Sequence, residues 1–245
     1  MEADLVHRLR AAGIYAVGFD LDGTLLDSEP AEVAAFQEMW RFVTGEPCPS
    51  ERLEVYLDEL EAISLAWDEG RISAEELGGP AIRQAALKAG LTAAPSQLPA
   101  LEEIYLEIAA AHGHLFPEVP ACLVQLSGRL PLAILTNGPG PLQRRKIERH
   151  GLQLRIQTVL ISGEMGAAKP ERDAFRKLAE AVEEAPDRIA FIGDSPGSDM
   201  LGAVLAGMRA VWLNRYGEAY PARLPAPWAT APDLSRALTA LSAPG

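Results

Sequence analysis

Residues 19–28 read Phe19-Asp20-Leu21-Asp22-Gly23-Thr24-Leu25-Leu26-Asp27-Ser28, directly after the short apolar run Ile14–Gly18. The apolar run predicts a strand that is buried on both faces. Two aspartates at the end of such a strand are costly, because their charges repel and burial disfavours both ionised forms. A hard divalent cation such as Mg²⁺ takes oxygen ligands and would offset both charges. The stretch is therefore either a metal-carboxylate site or a strand followed by an aspartate-rich turn.

The composition is that of an ordinary globular protein, with 48% apolar and 23% charged residues among 245. Acidic residues outnumber basic ones by 34 to 22, and the net charge is −12. An acidic surface repels phosphate backbones and anionic lipids, so neither nucleic acid nor a membrane is expected as a partner. No apolar run is long enough to cross a bilayer and no secretory signal begins the sequence, so a cytoplasmic location is expected. The choice between a monomer and a homodimer stays open.

Residues 28–113 carry a helical pattern. Ser28 can cap a first helix, with Pro30 in its first turn. Apolar residues at helical spacing then define faces in residues 33–40, 53–63, 82–89 and 101–108. No strand candidate is found in this region. We therefore predict an all-helical domain at residues 28–113, inserted into a core domain formed by residues 1–27 and 114–245.

The sequence after Phe116 alternates between helical patterns and short apolar runs. These runs are Leu132–Leu135, Thr158–Ile161, Ile189–Ile192 and Ala210–Leu213. Strands that alternate with helices predict an α/β fold with a doubly wound parallel sheet, which is a Rossmann-like core. The tail from Arg215 carries little pattern apart from a short helix near residues 233–242.

Polar residues lie repeatedly where the predicted strands end. Ligands of doubly wound sheets bind beyond the carboxyl ends of the strands. Taken singly, each polar residue has an ordinary explanation as a turn, a solvated loop charge or a helix cap. Their recurrence along one edge of one sheet favours a functional site. The candidates are Asp20, Asp22, Thr136, Asn137, Lys169, Asp194 and Asp199.

The carboxylates of this set suit a metal-assisted phosphoryl transfer. Asp20, Asp22 and Asp194 can supply oxygens to Mg²⁺, with Asp22 able to use its backbone carbonyl. One oxygen of Asp20 is then free to attack phosphorus and form an acyl phosphate. Asp22 is placed to protonate the leaving oxygen and later to deprotonate a water molecule.

The other candidates suit binding of the phosphoryl group. Thr136, Asn137 and the backbone amides near them can donate to phosphoryl oxygens, and Lys169 adds a positive charge. Asp199 can orient Lys169 or hold the water ligands of the metal. Phosphoryl transfer needs mainly positioning and charge stabilisation. The sequence therefore predicts Mg²⁺ as the cofactor and a small phosphorylated metabolite as the substrate.

Four motifs occur in order along the chain. They are Phe-Asp-Leu-Asp-Gly-Thr-Leu-Leu-Asp-Ser at 19–28, Leu-Thr-Asn-Gly at 135–138, Lys-Pro at 169–170 and Ile-Gly-Asp-Ser-x-x-x-Asp at 192–199. With these motifs the chain resembles the haloacid dehalogenase-like (HAD) hydrolase superfamily over about residues 14–215. The resemblance implies a set of roles: nucleophile Asp20, acid and base Asp22, phosphate contacts Thr136 and Lys169, and metal ligand Asp194.

The resemblance also implies a role for the helical insert. Residues 28–113 look like the C1-type cap of this superfamily, which closes over the site. The implied hinges lie near residues 27–29 and 114–116.

Several branches of the superfamily can be compared with this sequence. Haloacid dehalogenases lack the second aspartate of the first motif, which is Asp22 here. Phosphonate hydrolases use a cap lysine, for which the only candidate is Lys88, and P-type ATPases need membrane helices. A phosphatase is therefore favoured, and a sugar phosphomutase is the alternative within the superfamily. From other classes, the alternatives are a phospho-aspartate receiver and a binding module without turnover.

Overall fold

The computed structural model describes residues 4–68, 71–72 and 79–243. The described residues form two compact units. The first unit is drawn from residues 1–26, 115–137 and 151–245, and the second from residues 27–114 and 138–150. Residues 69–70 and 73–78 of the predicted helical domain lie outside the described residues. Within the described ranges, every helix is too short or too polar to span a bilayer.

The regular elements are numbered here in chain order. The strands are β1 (Ala16–Phe19), β2 (Leu26–Asp27), β3 (His114–Leu115), β4 (Leu132–Thr136), β5 (Thr158–Ile161), β6 (Ile189–Gly193), β7 (Arg209–Leu213) and β8 (Ala229–Ala231). The helices are α1 (Leu5–Ala11), α2 (Glu29–Thr44), α3 (Ser50–Asp68), α4 (Gly79–Lys88), α5 (Leu98–His112), α6 (Val119–Leu126), α7 (Gly140–Arg149), α8 (Ser162–Met165), α9 (Arg172–Ala181), α10 (Leu201–Leu205) and α11 (Leu234–Leu241).

One parallel sheet forms the framework of the first unit, with the strand order β5-β4-β1-β6-β7-β8. β1 lies inside it, where Phe19 is in register with Ile134 of β4 and Ile192 of β6. From β1 the chain adds β4 and β5 on one side, and then β6, β7 and β8 on the other. The predicted α/β fold with a doubly wound parallel sheet is confirmed. The order of the strands reverses at β1, which is where such sheets bind their ligands.

The tail beyond Arg215 contains more regular structure than the sequence predicts. β8 extends the sheet by parallel pairing with β7, and Thr230 lies in register with Trp212. The sequence of β8 is Ala-Thr-Ala, which is too short and too weakly strand-forming to be recognised alone. α11 corresponds to the helix predicted near residues 233–242. Its N-cap is Asp233, whose carboxylate accepts a hydrogen bond from the Arg236 N–H at 2.8 Å.

The second unit is built from helices, with α2, α3, α4 and α5 at the predicted positions. Tyr56 of α3 is fully buried and stacks on Phe36 of α2, with 4.1 Å between the ring centroids. The hydroxyls of Tyr56 and Tyr105 both donate to the Glu32 carboxylate, at 3.3 and 2.9 Å. These contacts join α2, α3 and α5 around a mixed apolar and hydrogen-bonded core.

The helix α7 is grouped differently from the prediction, which assigned it to the core domain. It belongs to the second unit, where it packs on α5. Arg145 of α7 pairs there with Glu103 of α5 at 2.9 Å. A local sequence pattern predicts that a helix forms, but not which neighbouring element it packs against. The assignment of residues 28–113 as a cap domain stays a prediction.

The core of the first unit includes a close contact between α10 and α9. Phe175 of α9 is fully buried and meets the ring of Phe191 edge to face, with 5.1 Å between the centroids. Gly202 of α10 lies against the Phe175 ring, and a Cβ on Gly202 would lie 2.1 Å from the nearest carbon of that ring. The packing of the helix on the ring therefore requires glycine at this position.

Gly202→Ala is expected to lower the free energy of unfolding by about 2 kcal/mol, because the added methyl group overpacks the Phe175 ring. Urea unfolding followed by circular dichroism measures this change. Leu205→Ala on the same helix is the control, since Leu205 is 60% exposed and its loss should cost less than about 0.5 kcal/mol. A Gly202→Ala protein as stable as the wild type would contradict the packing described.

Candidate active site

Asp20 joins β1 to the loop that follows it, and its backbone is still hydrogen-bonded to the sheet. The Asp20 N–H donates to the Ile192 carbonyl at 3.0 Å, and only 6% of Asp20 is exposed to solvent. The N–H groups of Leu25 and Leu26 both donate to the Leu21 carbonyl at 2.9 Å. Residues 21–26 therefore form a tight hydrogen-bonded loop at the carboxyl end of a central strand, and this loop is called the β1 loop below.

Two residues of the β1 loop contact Asp194, which follows β6. Gly23 has a φ of +77°, and a Cβ on it would lie 2.1 Å from Asp194 Oδ2, so both the backbone conformation and the contact require glycine. The Thr24 hydroxyl donates to Asp194 Oδ1 at 3.0 Å. The indole N–H of Trp212 donates to the Asp194 backbone carbonyl at 2.7 Å. Asp194 is thus held through both its side chain and its backbone.

Lys169 brings a positive charge to the site. Its side chain is buried, and Nζ donates to Asp20 Oδ1 and to Asp199 Oδ1, the latter at 2.7 Å. The Asn137 side chain fixes its backbone, because Nδ2 donates to the Lys169 carbonyl at 2.9 Å and Oδ1 accepts from its N–H at 3.0 Å. Burial alone would lower the pKa of Lys169, but the charges of Asp199 and Asp20 together raise it above its ordinary value.

Asp199 lies on a π-helical turn, Pro196–Met200, directly after β6. Such turns are rare and are found frequently at functional sites. Asp199 Oδ2 accepts from the Ser195 N–H at 3.0 Å, while Oδ1 accepts from Lys169. The Ser195 hydroxyl in turn accepts from the Ser198 N–H at 3.1 Å and caps the turn. The orientation of the Asp199 carboxylate is therefore set at both oxygens.

Asp20, Asp194 and Asp199 form an acidic cluster, in which one ligand oxygen of each lies within 4.8 Å of the others. Burial raises the pKa of Asp20 to about 7, with the charge of Asp199 acting in the same direction and Lys169 opposing it. Burial and the charges of Asp20 and Asp199 raise the pKa of Asp194 well above its ordinary value. One lysine does not neutralise three carboxylates, so this set of oxygens fits a hard divalent cation.

The structure brings together four of the predicted site residues: Asp20, Lys169, Asp194 and Asp199. Asp199, which is predicted to orient Lys169 or to hold water ligands of the metal, accepts a hydrogen bond from the Lys169 ammonium at 2.7 Å and also lies within the acidic cluster. Among the residues that the structure describes, the cluster does not include the carboxylate of Asp22. Metal ligation by the Asp22 backbone carbonyl stays a prediction.

Two of the three residues predicted to bind phosphate, Thr136 and Asn137, lie at the end of β4, next to β1 in the sheet. Thr136 is buried, and its hydroxyl donates to the Asn137 carbonyl at 3.3 Å. The Asn137 side chain holds the backbone of Lys169, a contact that the sequence does not predict. Phosphate binding by Thr136 and Asn137 stays a prediction.

Sequence reasoning missed the residues that position Asp194. The Thr24 hydroxyl carried no signal, because its partner Asp194 lies 170 residues away in the chain. Trp212 offered a weak signal, because an indole N–H on a buried strand needs an acceptor. Which acceptor it finds becomes clear only when β6 and β7 are paired.

Comparison with known proteins identifies the family. The family model for haloacid dehalogenase-like hydrolases matches residues 14–207. A phosphoserine phosphatase from Thermus thermophilus is 47% identical over 102 residues, so the match covers only 41% of each chain. The phosphoglycolate phosphatase of Escherichia coli is 29% identical over 226 residues, which is 84% of each chain.

A solved structure shares the fold. The magnesium-bound HAD-hydrolase YfnB from Bacillus subtilis superposes with a TM-score of 0.80 at 23% identity, covering 93% of this chain and 98% of its own. With the family match, this similarity leads to one conclusion. The chain belongs to the haloacid dehalogenase-like hydrolase family of enzymes.

The raised pKa of Asp20 predicts how the stability of the metal-free protein depends on pH. The folded pKa of about 7 exceeds the ordinary value of 3.8, so the folded form holds an extra proton between these values and loses stability as the pH rises. Relative to Asp20→Asn, the wild type in EDTA should lose about 2 kcal/mol of unfolding free energy from about pH 5.5 to 7.5. Urea titrations at several pH values measure this difference.

The exposed carboxylate Asp187 provides the control for this experiment. Asp187→Asn should follow the wild type across the whole pH range. A constant difference in stability between the wild type and Asp20→Asn would show that Asp20 does not titrate in this window.

Proposed function

We propose that this protein is a Mg²⁺-dependent phosphohydrolase that cleaves a small phosphorylated metabolite through an aspartyl phosphate on Asp20. The observation that carries the proposal is the buried contact of Lys169 with Asp20 and Asp199, beside Asp194. Such a site combines a nucleophilic carboxylate, a cation for the phosphoryl oxygens and oxygen ligands for a metal.

The fit of Mg²⁺ rests on the chemistry of the acidic cluster. Asp20 and Asp194 are the residues that would hold the ion, with the Asp22 backbone carbonyl as a further oxygen ligand. Both oxygens of Asp199 already accept hydrogen bonds, so this residue is better suited to orient Lys169. Bound Mg²⁺ would supply positive charge that offsets the buried carboxylates and the phosphoryl oxygens.

In the first chemical step, a carboxylate oxygen of Asp20 forms a bond to phosphorus. The bond between phosphorus and the ester oxygen breaks, and the carboxyl group of Asp22 donates its proton to that leaving oxygen. The products of the step are a free alcohol and an acyl phosphate on Asp20. Lys169 and Thr136 stabilise the negative charge on the phosphoryl oxygens.

In the second step, the carboxylate of Asp22 accepts a proton from water, whose oxygen bonds to phosphorus. The bond between phosphorus and the Asp20 oxygen breaks, which restores the Asp20 carboxylate and releases inorganic phosphate. Asp22 is returned to its protonated form, so the enzyme is ready for the next substrate molecule.

The helical unit provides the cap in this proposal. A cap excludes water from the first step and contacts the leaving group, so substrate choice would depend on residues 28–113. The inserted segment begins directly after β2 and ends at β3, which supports hinges near residues 27–29 and 114–116.

The relatives suggest which substrates to examine first. Phosphoserine and phosphoglycolate, named in two of them, are both phosphate monoesters of small carboxylic acids. We propose a free metabolite of this kind in the cytoplasm as the substrate, acted on by a monomer or homodimer. With a net charge of −12, neither nucleic acid nor a membrane is proposed as a partner.

Asp20→Asn is expected to lower phosphate release from p-nitrophenyl phosphate in Mg²⁺ by at least about 10³-fold, because the amide cannot attack phosphorus. EDTA should abolish the wild-type activity and added Mg²⁺ should restore it. Asp187→Asn, which changes an exposed aspartate in the same way, is the matched control and should keep full activity.

These assays, together with measurements of phosphoprotein, phosphate transfer and chloride release, separate the alternatives. Full activity of Asp20→Asn, or no effect of EDTA, would reject the mechanism. A stable phosphoprotein without phosphate release would favour a receiver, and phosphate transfer between positions of a sugar would favour a phosphomutase. Release of chloride from 2-chloropropionate would favour a dehalogenase, which the presence of Asp22 argues against.

A further inference from the structure

Arg215 lies two residues beyond β7, outside the segment matched by the family model, and its side chain is only 10% exposed. Its guanidinium reaches back to the β1 loop. Nε donates to the Gly23 carbonyl at 3.1 Å, and Nη2 donates to the Thr24 carbonyl at 2.8 Å. One planar group therefore holds two consecutive carbonyls of the loop that carries Asp22.

Two further groups fix the guanidinium itself. Nη1 pairs with Glu118 Oε1 at 2.9 Å, and the ring of Phe116 lies 3.5 Å from the guanidinium carbon. Glu118 is anchored in turn, because its Oε1 also accepts from the Leu234 N–H at 3.3 Å. The Phe116 N–H donates to the Leu25 carbonyl at 3.1 Å, so the segment that supports Arg215 also binds the β1 loop directly.

Arginine is suited to this place because its donors form a rigid fork and its flat face stacks on an aromatic ring. Lysine would keep the charge beside Glu118, but its ammonium group lacks the planar fork that matches two adjacent carbonyls. Arg215→Lys therefore separates the effect of the charge from the effect of the planar fork.

The position of the β1 loop matters for two groups of the site. Asp22 directly precedes Gly23 in the β1 loop, so the peptide whose carbonyl Arg215 holds begins one residue after Asp22, and movement of that peptide would displace Asp22. Thr24 donates through its hydroxyl to Asp194, so its placement also orients a carboxylate of the acidic cluster.

We propose that Arg215 is a positioning residue that fixes Asp22 and Thr24 for the chemical step by holding the carbonyls of Gly23 and Thr24. The proposal rests on the phosphohydrolase function proposed above. Arg215 acts on groups that move protons and orient Asp194, so its replacement should affect turnover more than substrate binding. A residue that only stabilised the fold would change neither the kinetic constants of the folded enzyme nor the exchange of one loop.

The first test uses Arg215→Gln and Arg215→Lys with p-nitrophenyl phosphate in saturating Mg²⁺. Both variants are expected to lower kcat by roughly 10- to 100-fold, since misplacing a catalytic group by about 1 Å has effects of this size. KM should change by less than about twofold, because the loop is not proposed to bind substrate. Arg215→Lys should unfold at nearly the wild-type temperature and still have a low kcat.

The second test measures hydrogen–deuterium exchange of the β1 loop, which needs no activity and no metal. The N–H groups of Gly23, Leu25 and Leu26 are hydrogen-bonded within the loop and report on its opening. Their exchange should be at least about tenfold faster in both variants, while exchange in β6 stays at the wild-type rate.

Arg188→Gln is the matched control. Arg188 also lies over an aromatic ring, at 4.9 Å from the Tyr15 centroid, and is 3.9 Å from Glu184, but it precedes β6 at the opposite end of the sheet. Its replacement should leave kcat, KM and loop exchange within about twofold of the wild type, since it does not contact the β1 loop.

The proposal is overturned if Arg215→Lys recovers the wild-type kcat, because the charge alone would then suffice. It is also overturned if exchange of the β1 loop is unchanged in the variants. If Arg215→Gln does not fold, Arg215→Lys decides the question. If the wild type releases no phosphate, the proposed function fails, and the exchange data still decide whether Arg215 holds the loop.

Discussion

The buried contact of the Lys169 ammonium with Asp20 and Asp199 is the interaction on which the site depends. Moving charged groups out of water is costly, and their attraction offsets this cost only where geometry and further hydrogen bonds are favourable. The further bonds are present, because Asn137 holds the Lys169 backbone and the Ser195 N–H binds Asp199. Loss of the Lys169 charge would leave both carboxylates buried without this compensation.

The strand order explains why groups so distant in the sequence can meet. Asp20 follows β1, Lys169 lies beyond β5, and Asp199 follows β6. In the sheet, β5 and β6 lie on opposite sides of β1. All these strands run parallel, so their carboxyl ends lie along one edge. The apolar runs that form the strands could be recognised in the sequence because strands buried on both faces are continuously apolar. For this reason the edge on which Asp20, Lys169 and Asp199 meet could be predicted before any contact was known.

Other features could not be predicted, and they share a physical cause. Arg215 binds backbone carbonyls of the β1 loop, which every residue carries, so no side chain of that loop reveals the contact. The grouping of α7 with α5 depends on tertiary packing, and the Arg145–Glu103 pair joins residues 42 positions apart. The strand β8 forms because β7 offers it an open edge. In each case the determining interaction is long-range, while sequence patterns report on local structure.

The acidic cluster and the supports of the β1 loop belong to one physical problem. Carboxylates of like charge repel, and burial strengthens that repulsion, as the raised pKa values of Asp20 and Asp194 reflect. A flexible site would relieve the repulsion by moving its carboxylates towards water, and the β1 loop contacts one of them, since the Thr24 hydroxyl donates to Asp194. Here the loop is bound internally at the Leu21 carbonyl, through Thr24 to Asp194, and from outside by Arg215. Hydrogen bonds from neutral groups and a remote guanidinium thus hold the surroundings of the cluster in place, so the repulsion between its carboxylates stays unrelieved and their oxygens fit a hard cation.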